Sequence, residues 1–186
     1  MDPLAKIYSE SVGFIPHIWL HQHPHSVNPD GSIDIDGNVD LSSNRFTELP
    51  FTFNKVGGNF DCSSNELTSL KGAPKYVGGG FWCNFNSLTT LEGSPITVGG
   101  IFDCSYNLLT TLKGAPQYIE RHFDFYGNSQ LKTLDYFPKH TGGEVYRDSR
   151  FSNEAVKKAR EQAAVQDYIR TLSHDDEIEN IGDIFD

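Results

Sequence analysis

The sequence predicts a β-rich solenoid, in which short repeats stack so that their strands form a continuous parallel sheet. Three consecutive segments of 21 residues, 56–76, 77–97 and 98–118, repeat one pattern without a gap. Each segment contains two apolar residues separated by one polar residue, the alternation of a short strand with one buried face. One such unit cannot bury its apolar side chains alone, whereas stacked units share a core.

Length and composition fit one folded domain of this kind and exclude several other classes. The chain has 186 residues, of which 37% are hydrophobic and 22% are charged, so its composition is not that of a disordered protein. The net charge of −10 argues against direct binding to nucleic-acid phosphates. No apolar run is long enough for a membrane span, and the first residues do not resemble a signal peptide. We therefore expect a cytoplasmic protein with reduced thiols and no membrane contact.

Weaker copies of the unit extend the repeats in both directions. One copy precedes the three clear units at 35–55, and another follows them at 119–140 with one extra residue after Asn128. The predicted organisation is an N-terminal cap at 1–34, five repeats at 35–140, a terminal strand and capping helix at 141–172, and an acidic tail at 173–186.

The repeat unit resembles a known family. Its shared core reads F-x-C-x-x-N-x-L-x-x-L. This pattern resembles the leucine-rich repeat in its short bacterial form. The fuller wording V-G-G-x-F-x-C-x-x-N-x-L-x-x-L-x-G-A-P is similar to leucine-rich-repeat proteins encoded by tailed bacteriophages and prophages. The resemblance implies a right-handed solenoid with its parallel sheet on the concave face, and a small factor that binds and modulates a host protein.

Three recurrent residue types predict how each unit turns. An asparagine such as Asn86 falls once per unit just past the strand, where its amide can bond turn backbone that would otherwise be buried and unpaired. A glycine pair such as Gly78 and Gly79 precedes the strand and allows a tight corner or close contact between units. A proline such as Pro95 marks the opposite side, where we expect extended or turn structure because a 21-residue unit leaves no room for a full helix.

The N-terminal cap is predicted to contain a helix and a hairpin. Apolar and aromatic residues favour a short helix within 3–11 or 14–22. Residues 33–35 and 38–41 flank the dipeptide Asp36-Gly37, the signature of a β-hairpin with a primed turn. That hairpin would shield the exposed edge of the first unit.

The C-terminal cap is predicted to be a helix that begins after Ser152 and runs to about Leu172. Its apolar stripe comprises Ala155, Val156, Ala159, Ala163, Val165, Tyr168, Ile169 and Leu172. The tail that follows has six acidic residues and no basic ones, so we expect it to be solvated, or to order on a basic partner.

The sequence shows no catalytic constellation, and we expect no enzymatic activity, no cofactor and no metal. Cys62, Cys83 and Cys104 take the same inward strand position 21 residues apart, which fits small core residues better than paired zinc ligands. The histidines of segment 17–25 could ligate a transition metal. Because no acidic or cysteine partner stands at a recognisable spacing, we favour a structural role for them.

The outward face of the strands is the predicted binding surface for a partner protein. Its middle column runs along the stack as aspartates interrupted by Trp82. The tryptophan would anchor a partner, and the aspartates would steer a basic surface toward it. The alternative is that these aspartates only keep an exposed sheet soluble. The predicted site residues are Asp40, Asp61, Trp82, Asn84, Asp103, His122, Asp124, Tyr126 and Tyr146.

These observations favour a non-enzymatic module that binds and inhibits a protein with a basic surface in a bacterial host's cytosol. One alternative is a structural part of a virion whose ends mediate stacking. Another is a mimic of nucleic acid, in which the acidic tail and the aspartate column occupy a basic cleft. The sequence predicts neither the partner's identity nor the oligomeric state.

Overall fold

A computed structural model of the protein describes residues 16–174. Within those residues the elements, in chain order, are α1 (Pro16–His21), β1 (His25–Val27), β2 (Ile33–Ile35), β3 (Val39–Asp40), β4 (Phe53–Val56), β5 (Phe60–Asp61), β6 (Tyr76–Val77), β7 (Phe81–Trp82), β8 (Thr97–Val98), β9 (Phe102–Asp103), β10 (Tyr118–Ile119), β11 (Phe123–Asp124), β12 (His140–Thr141), β13 (Val145–Tyr146) and α2 (Asn153–His174).

The chain winds into a parallel-sheet solenoid of about five turns with a C-terminal helix, as predicted, but it builds two sheets where we predicted one. The first sheet has the order β1-β2-β4-β6-β8-β10-β12, and the second has the order β3-β5-β7-β9-β11-β13. The pairings between coils are parallel and, apart from one register shift between β2 and β4, join equivalent residues, such as Phe60 with Phe81 and Phe81 with Phe102. The first sheet escaped prediction because a clear unit gives it a single buried apolar side chain, such as Val77, so no alternation marks the strand, whereas Phe81 and Cys83 mark the second sheet.

The core contains the inward side chains of both sheets. Val56 and Val77 of the first sheet are buried, as are Phe60, Phe81 and Phe102 of the second. The phenylalanines form a column along the solenoid, with ring centroids 5.2 Å apart between Phe60 and Phe81 and 5.5 Å apart between Phe81 and Phe102. Each ring therefore buries its faces against neighbouring coils, as a stacked repeat requires.

The recurrent asparagine bonds buried turn backbone, as the sequence predicts, and it also joins adjacent coils. The Asn86 side-chain amide donates to the carbonyl oxygens of Cys62 and Cys83 at 3.0 and 3.1 Å, and its oxygen accepts from the Leu67 amide at 2.9 Å. Asn107 repeats this pattern one coil later. These bonds satisfy backbone groups at a buried turn that cannot reach water.

The glycine pairs lie where the corners of adjacent coils touch. A Cβ atom on Gly78 would lie 2.2 Å from the carbonyl oxygen of Gly57, and one on Gly99 would lie 2.2 Å from that of Gly78. Both distances are far shorter than a van der Waals contact. The glycines thus permit the close contact between coils that the sequence indicates.

The N-terminal cap contains a hairpin, but the predicted one is wrong. Strand β2 pairs antiparallel with β1 and parallel with β4, whereas β3 joins the second sheet beside β5. Residues Asp36 and Gly37 therefore form a corner between the two sheets, one coil before Gly57 and Gly58. The dipeptide suits any tight turn, and pairing with the next coil decides its direction.

Helix α1 lies within the predicted window 14–22, while the alternative window 3–11 lies outside the described residues. Trp19 and Leu20 of α1 pack against the core. They cover the first coil, which is the task of a cap.

Helix α2 begins as predicted, because the Ser152 hydroxyl accepts the Ala155 amide at 3.1 Å. Its apolar stripe is narrower than predicted. Val156 and Ala159 are buried, but Val165 is 57% exposed, so the first turns hold the helix to the solenoid. An ion pair between Lys139 and Asp167 adds a contact further along. The predicted stripe residues Tyr168, Ile169 and Leu172 and the tail from 175 onward fall outside the described side chains.

No helix within residues 16–174 is both long enough and apolar enough to cross a bilayer.

Candidate functional site

The candidate site is the outer face of the second sheet, which we call the aspartate face. Strand pairing places Trp82 between Asp61 and Asp103, and Asp124 between Asp103 and Tyr146. Neighbouring strands of a sheet lie about 4.8 Å apart. The structure thus brings together the middle column that the sequence predicts.

The aspartates of this column also end their strands. The Oδ1 atom of Asp61 accepts the Ser63 amide at 2.8 Å, that of Asp103 accepts the Ser105 amide at 2.9 Å, and that of Asp124 accepts the Tyr126 amide at 2.9 Å. Asp40 makes the same bond in the first coil. Such a turn needs a short side chain with an acceptor oxygen. Each aspartate therefore has a structural role in addition to any role in binding.

The charge of the aspartate face is largely uncompensated. Its three outward columns are the middle column and the positions two residues before and two residues after it in each strand. They contain six carboxylates and no lysine or arginine; the carboxylates are Asp40, Asp61, Asp103, Asp124, Glu144 and Asp148. Of these, within the described residues, Asp148 forms an ion pair, with Arg150 at 2.9 Å. Burial raises the pKa of Asp103, and the neighbouring Asp61 carboxylate raises it further. Burial also raises the pKa of Asp124, where Asp103 and Asp148 add repulsion. Burial and mutual repulsion thus make the ionised forms of Asp103 and Asp124 less favourable than they would be in water.

Trp82 lies on the sheet and does not project from it. A Cβ atom on Gly80 would lie 2.3 Å from Cη2 of the indole, so the ring extends back over that glycine. The equivalent residues in the neighbouring coils are Asn59 and Ile101, whose side chains would occupy this space. The indole is consequently half-buried, and its ring lies against the surface of the sheet.

An exposed aromatic row, which the sequence analysis missed apart from Tyr126, borders the aspartate face. We call Phe85, Tyr106 and Tyr126 the aromatic ladder. Their exposed fractions are 52%, 48% and 43%. The rings of Phe85 and Tyr106 stack with centroids 4.6 Å apart, and Tyr126 contacts Tyr106 edge-on at 5.6 Å. The ladder is a contiguous aromatic surface in contact with solvent.

Two of the three ladder residues have an unfavourable backbone conformation. Phe85 and Tyr106 have φ angles of 53° and 51°, in the left-handed region. This region costs a bulky residue roughly 1–2 kcal/mol. The equivalent positions hold Ser64, with φ of 55°, and Gly127, with φ of 75°. The aromatic rings are therefore not what the turn requires. Aligning the repeats on Gly127 is the sequence signal that could have found this position.

The remaining predicted site residues divide between exposed and structural positions. The side-chain oxygen of Asn84 is buried without a hydrogen-bond partner among the described residues. His122 accepts the Glu144 amide at 2.9 Å through Nδ1, which links two coils. Tyr146 contacts the His122 ring at 5.7 Å and is exposed at the last coil. Two strands lie between Tyr146 and Trp82, so the two residues are three strand spacings, about 14 Å, apart.

The three cysteines, and His23 of the N-terminal histidine segment, lie outside the aspartate face. Cys62, Cys83 and Cys104 are fully buried free thiols, and burial raises the pKa of each. His23 stacks on Trp19 with centroids 3.9 Å apart and bonds the Trp19 carbonyl oxygen at 2.7 Å, a structural role in the N-terminal cap. Between residues 16 and 174, no group of three or more His, Cys, Asp or Glu side chains is arranged to hold a metal ion.

The chain matches no protein-family model, no curated protein and no solved structure.

Proposed function

We propose that the protein is a non-enzymatic module that binds another protein through the aspartate face and its aromatic ladder. The observation that carries this proposal is the left-handed backbone of Phe85 and Tyr106. Backbone strain that folding does not require is a pointer to function. Aromatic side chains are enriched at the energetic centres of protein interfaces, where they bury large areas with little loss of conformational freedom.

The charge of the face favours a partner with a basic surface, because complementary charge accelerates encounter and fixes orientation. The repeat wording supports a setting for that partner. Its resemblance to leucine-rich repeats of bacteriophage and prophage proteins favours a target in the bacterial host's cytosol. Binding there would modulate the target, most simply by inhibiting it.

The test is a double variant, Phe85→Gly with Tyr106→Gly. It replaces by glycine the two aromatic residues of the ladder that have positive φ angles. Glycine relieves roughly 1–2 kcal/mol of backbone strain at each site, which offsets the loss of a ring stack worth about 0.5–1.5 kcal/mol. We therefore expect an unfolding midpoint close to that of the wild type. In affinity capture from host lysate, the double variant should lose any partner that the wild type retains.

The matched control is Tyr118→Ala, which removes an exposed tyrosine from the outer face of the first sheet. This variant should keep the partner. A partner that survives the double glycine variant would overturn the proposal. Loss of the partner only after removal of residues 173–186 would instead favour the nucleic-acid mimic, and that binding should weaken steeply with salt. The same protein found in purified particles, with no captured partner, would favour the structural role.

A further inference from the structure

We propose that the aspartate face receives an arginine side chain of the partner protein, whose guanidinium stacks on the indole of Trp82 and bonds the carboxylates of Asp61 and Asp103. This inference rests on the proposed protein-binding function and names the chemical group that the face recognises.

The aspartate face is complementary in charge to an arginine side chain. Six carboxylates and no lysine or arginine occupy the three outward columns. The Ser63 amide bonds one oxygen of Asp61, and the amide and the hydroxyl of Ser105 bond Asp103. Because a carboxylate can accept about four hydrogen bonds, both groups retain capacity for donors of a partner. A cation there would offset the repulsion and the lost hydration that raise the pKa of Asp103.

The indole of Trp82 lies between the two carboxylates. Trp82 separates the two aspartates in the strand register, so a carboxylate stands one strand away on each side. The ring lies back over Gly80, with one side against the sheet. The half-buried ring leaves its other side available to a partner. Among aromatic side chains, tryptophan attracts a cation over its ring most strongly.

The face fits the guanidinium of arginine better than the ammonium group of lysine. A guanidinium is planar, carries five donors and is weakly hydrated, so it can stack on an aromatic ring while it donates to carboxylates at its edge. An ammonium group is compact and strongly hydrated, and it satisfies one of these contacts at a time. The combination of an aromatic ring with flanking acceptors therefore fits arginine best.

The test is a titration with the peptide acetyl-Gly-Arg-Gly-Arg-Gly-amide, followed by the indole N–H signals in a nitrogen–proton NMR spectrum. The control peptide contains citrulline, which keeps the shape and loses the charge. The arginine peptide should shift the Trp82 signal and leave that of Trp19, in the N-terminal cap, unchanged. Citrulline should shift neither, and a lysine peptide should bind roughly threefold more weakly.

Two variants locate the contacts. Asp61→Asn with Asp103→Asn removes both charges while each new side-chain oxygen can still accept its turn amide, so the fold is expected to persist. This variant should bind the arginine peptide about fivefold or more weakly. Glu92→Gln, which removes a carboxylate paired with Lys113 outside the face, should bind it normally. Equal shifts with citrulline, or unchanged affinity in the double asparagine variant, would overturn the proposal.

The outcomes also separate this proposal from the function on which it rests. If the arginine peptide fails to bind while the double glycine variant of the ladder still loses a captured protein, the binding function stands and the arginine site is wrong. If the peptide binds and the ladder variant keeps its partner, the arginine site stands and the ladder is not the interface.

Discussion

Asp103 illustrates how a single residue serves two purposes in this protein. Its carboxylate ends a strand by accepting the Ser105 amide, and it adds negative charge to a face where burial already raises its pKa. The turn needs only the acceptor oxygen. The charge is therefore a separable property, which a substitution can remove without removing the bond.

Asp103→Asn should stabilise the protein at pH 7. Asparagine retains the acceptor, and it does not suffer the burial and repulsion that disfavour the charged aspartate. In the folded state the pKa of Asp103 lies above its ordinary value of 3.8. As the pH rises above 3.8, the folded state therefore keeps this proton more readily than the unfolded state does. Wild-type stability therefore falls as the pH rises through that range.

Urea unfolding of both proteins between pH 7 and pH 3.5 checks this prediction. The advantage of the variant should be largest at neutral pH and should shrink as the wild-type carboxyl becomes protonated. An advantage that stays constant with pH would show that the charge of Asp103 has no influence on stability.

At the scale of one coil, the asparagine and the glycine pair perform different tasks. Asn86 supplies hydrogen bonds to two coils, whereas Gly78 supplies only space for the carbonyl oxygen of Gly57. A coil thus depends on the next one for both satisfied polar groups and close packing. Isolated coils are not expected to fold.

Asn86→Ala should lower the free energy of unfolding by about 2–4 kcal/mol, because it leaves buried backbone groups of two coils without partners. Asn44→Ala is the matched control, since the Asn44 side chain donates a single bond, to the Ser42 carbonyl oxygen at 2.9 Å. Denaturant unfolding followed by circular dichroism measures both. Similar losses in the two variants would contradict the assigned role of the interior asparagine.

At the scale of the whole molecule, three consecutive coils each contain one buried thiol. Cys62, Cys83 and Cys104 lie in β-strand register at the same inward position, and burial raises the pKa of each thiol, so none should react in the folded protein. Their labelling therefore reports how the coils open.

A thiol reagent added in partially denaturing urea should yield only unlabelled and triply labelled protein, as read by intact mass. This outcome follows if the coils unfold together, because each coil's core is completed by its neighbours. Abundant species with one or two labels would instead show that the solenoid opens from its ends.

Some residues of the site could be predicted from the sequence and others could not. The column of Asp61, Trp82 and Asp103 follows directly from the period, because equivalent residues must lie opposite each other in a stack. The orientation of Trp82 does not follow, since it depends on the space over Gly80. Phe85 and Tyr106 of the aromatic ladder also escaped, because their position depends on a left-handed turn that the alternation of apolar residues does not reveal.

The sequence by itself determined the period, the inward residues, the parallel stacking, the role of the asparagines and the start of the C-terminal helix. All of these follow from which side chains must be buried and which backbone groups must be paired. Only the tertiary structure decided that the segments after the prolines form a sheet of their own, the first sheet. It also decided that Asp36 and Gly37 form a corner between the two sheets. It also decided that the aspartates end their strands. The reason is that a strand of two residues, a corner and a side-chain orientation gain their stability from the neighbouring coil, whose distance and direction local sequence does not specify.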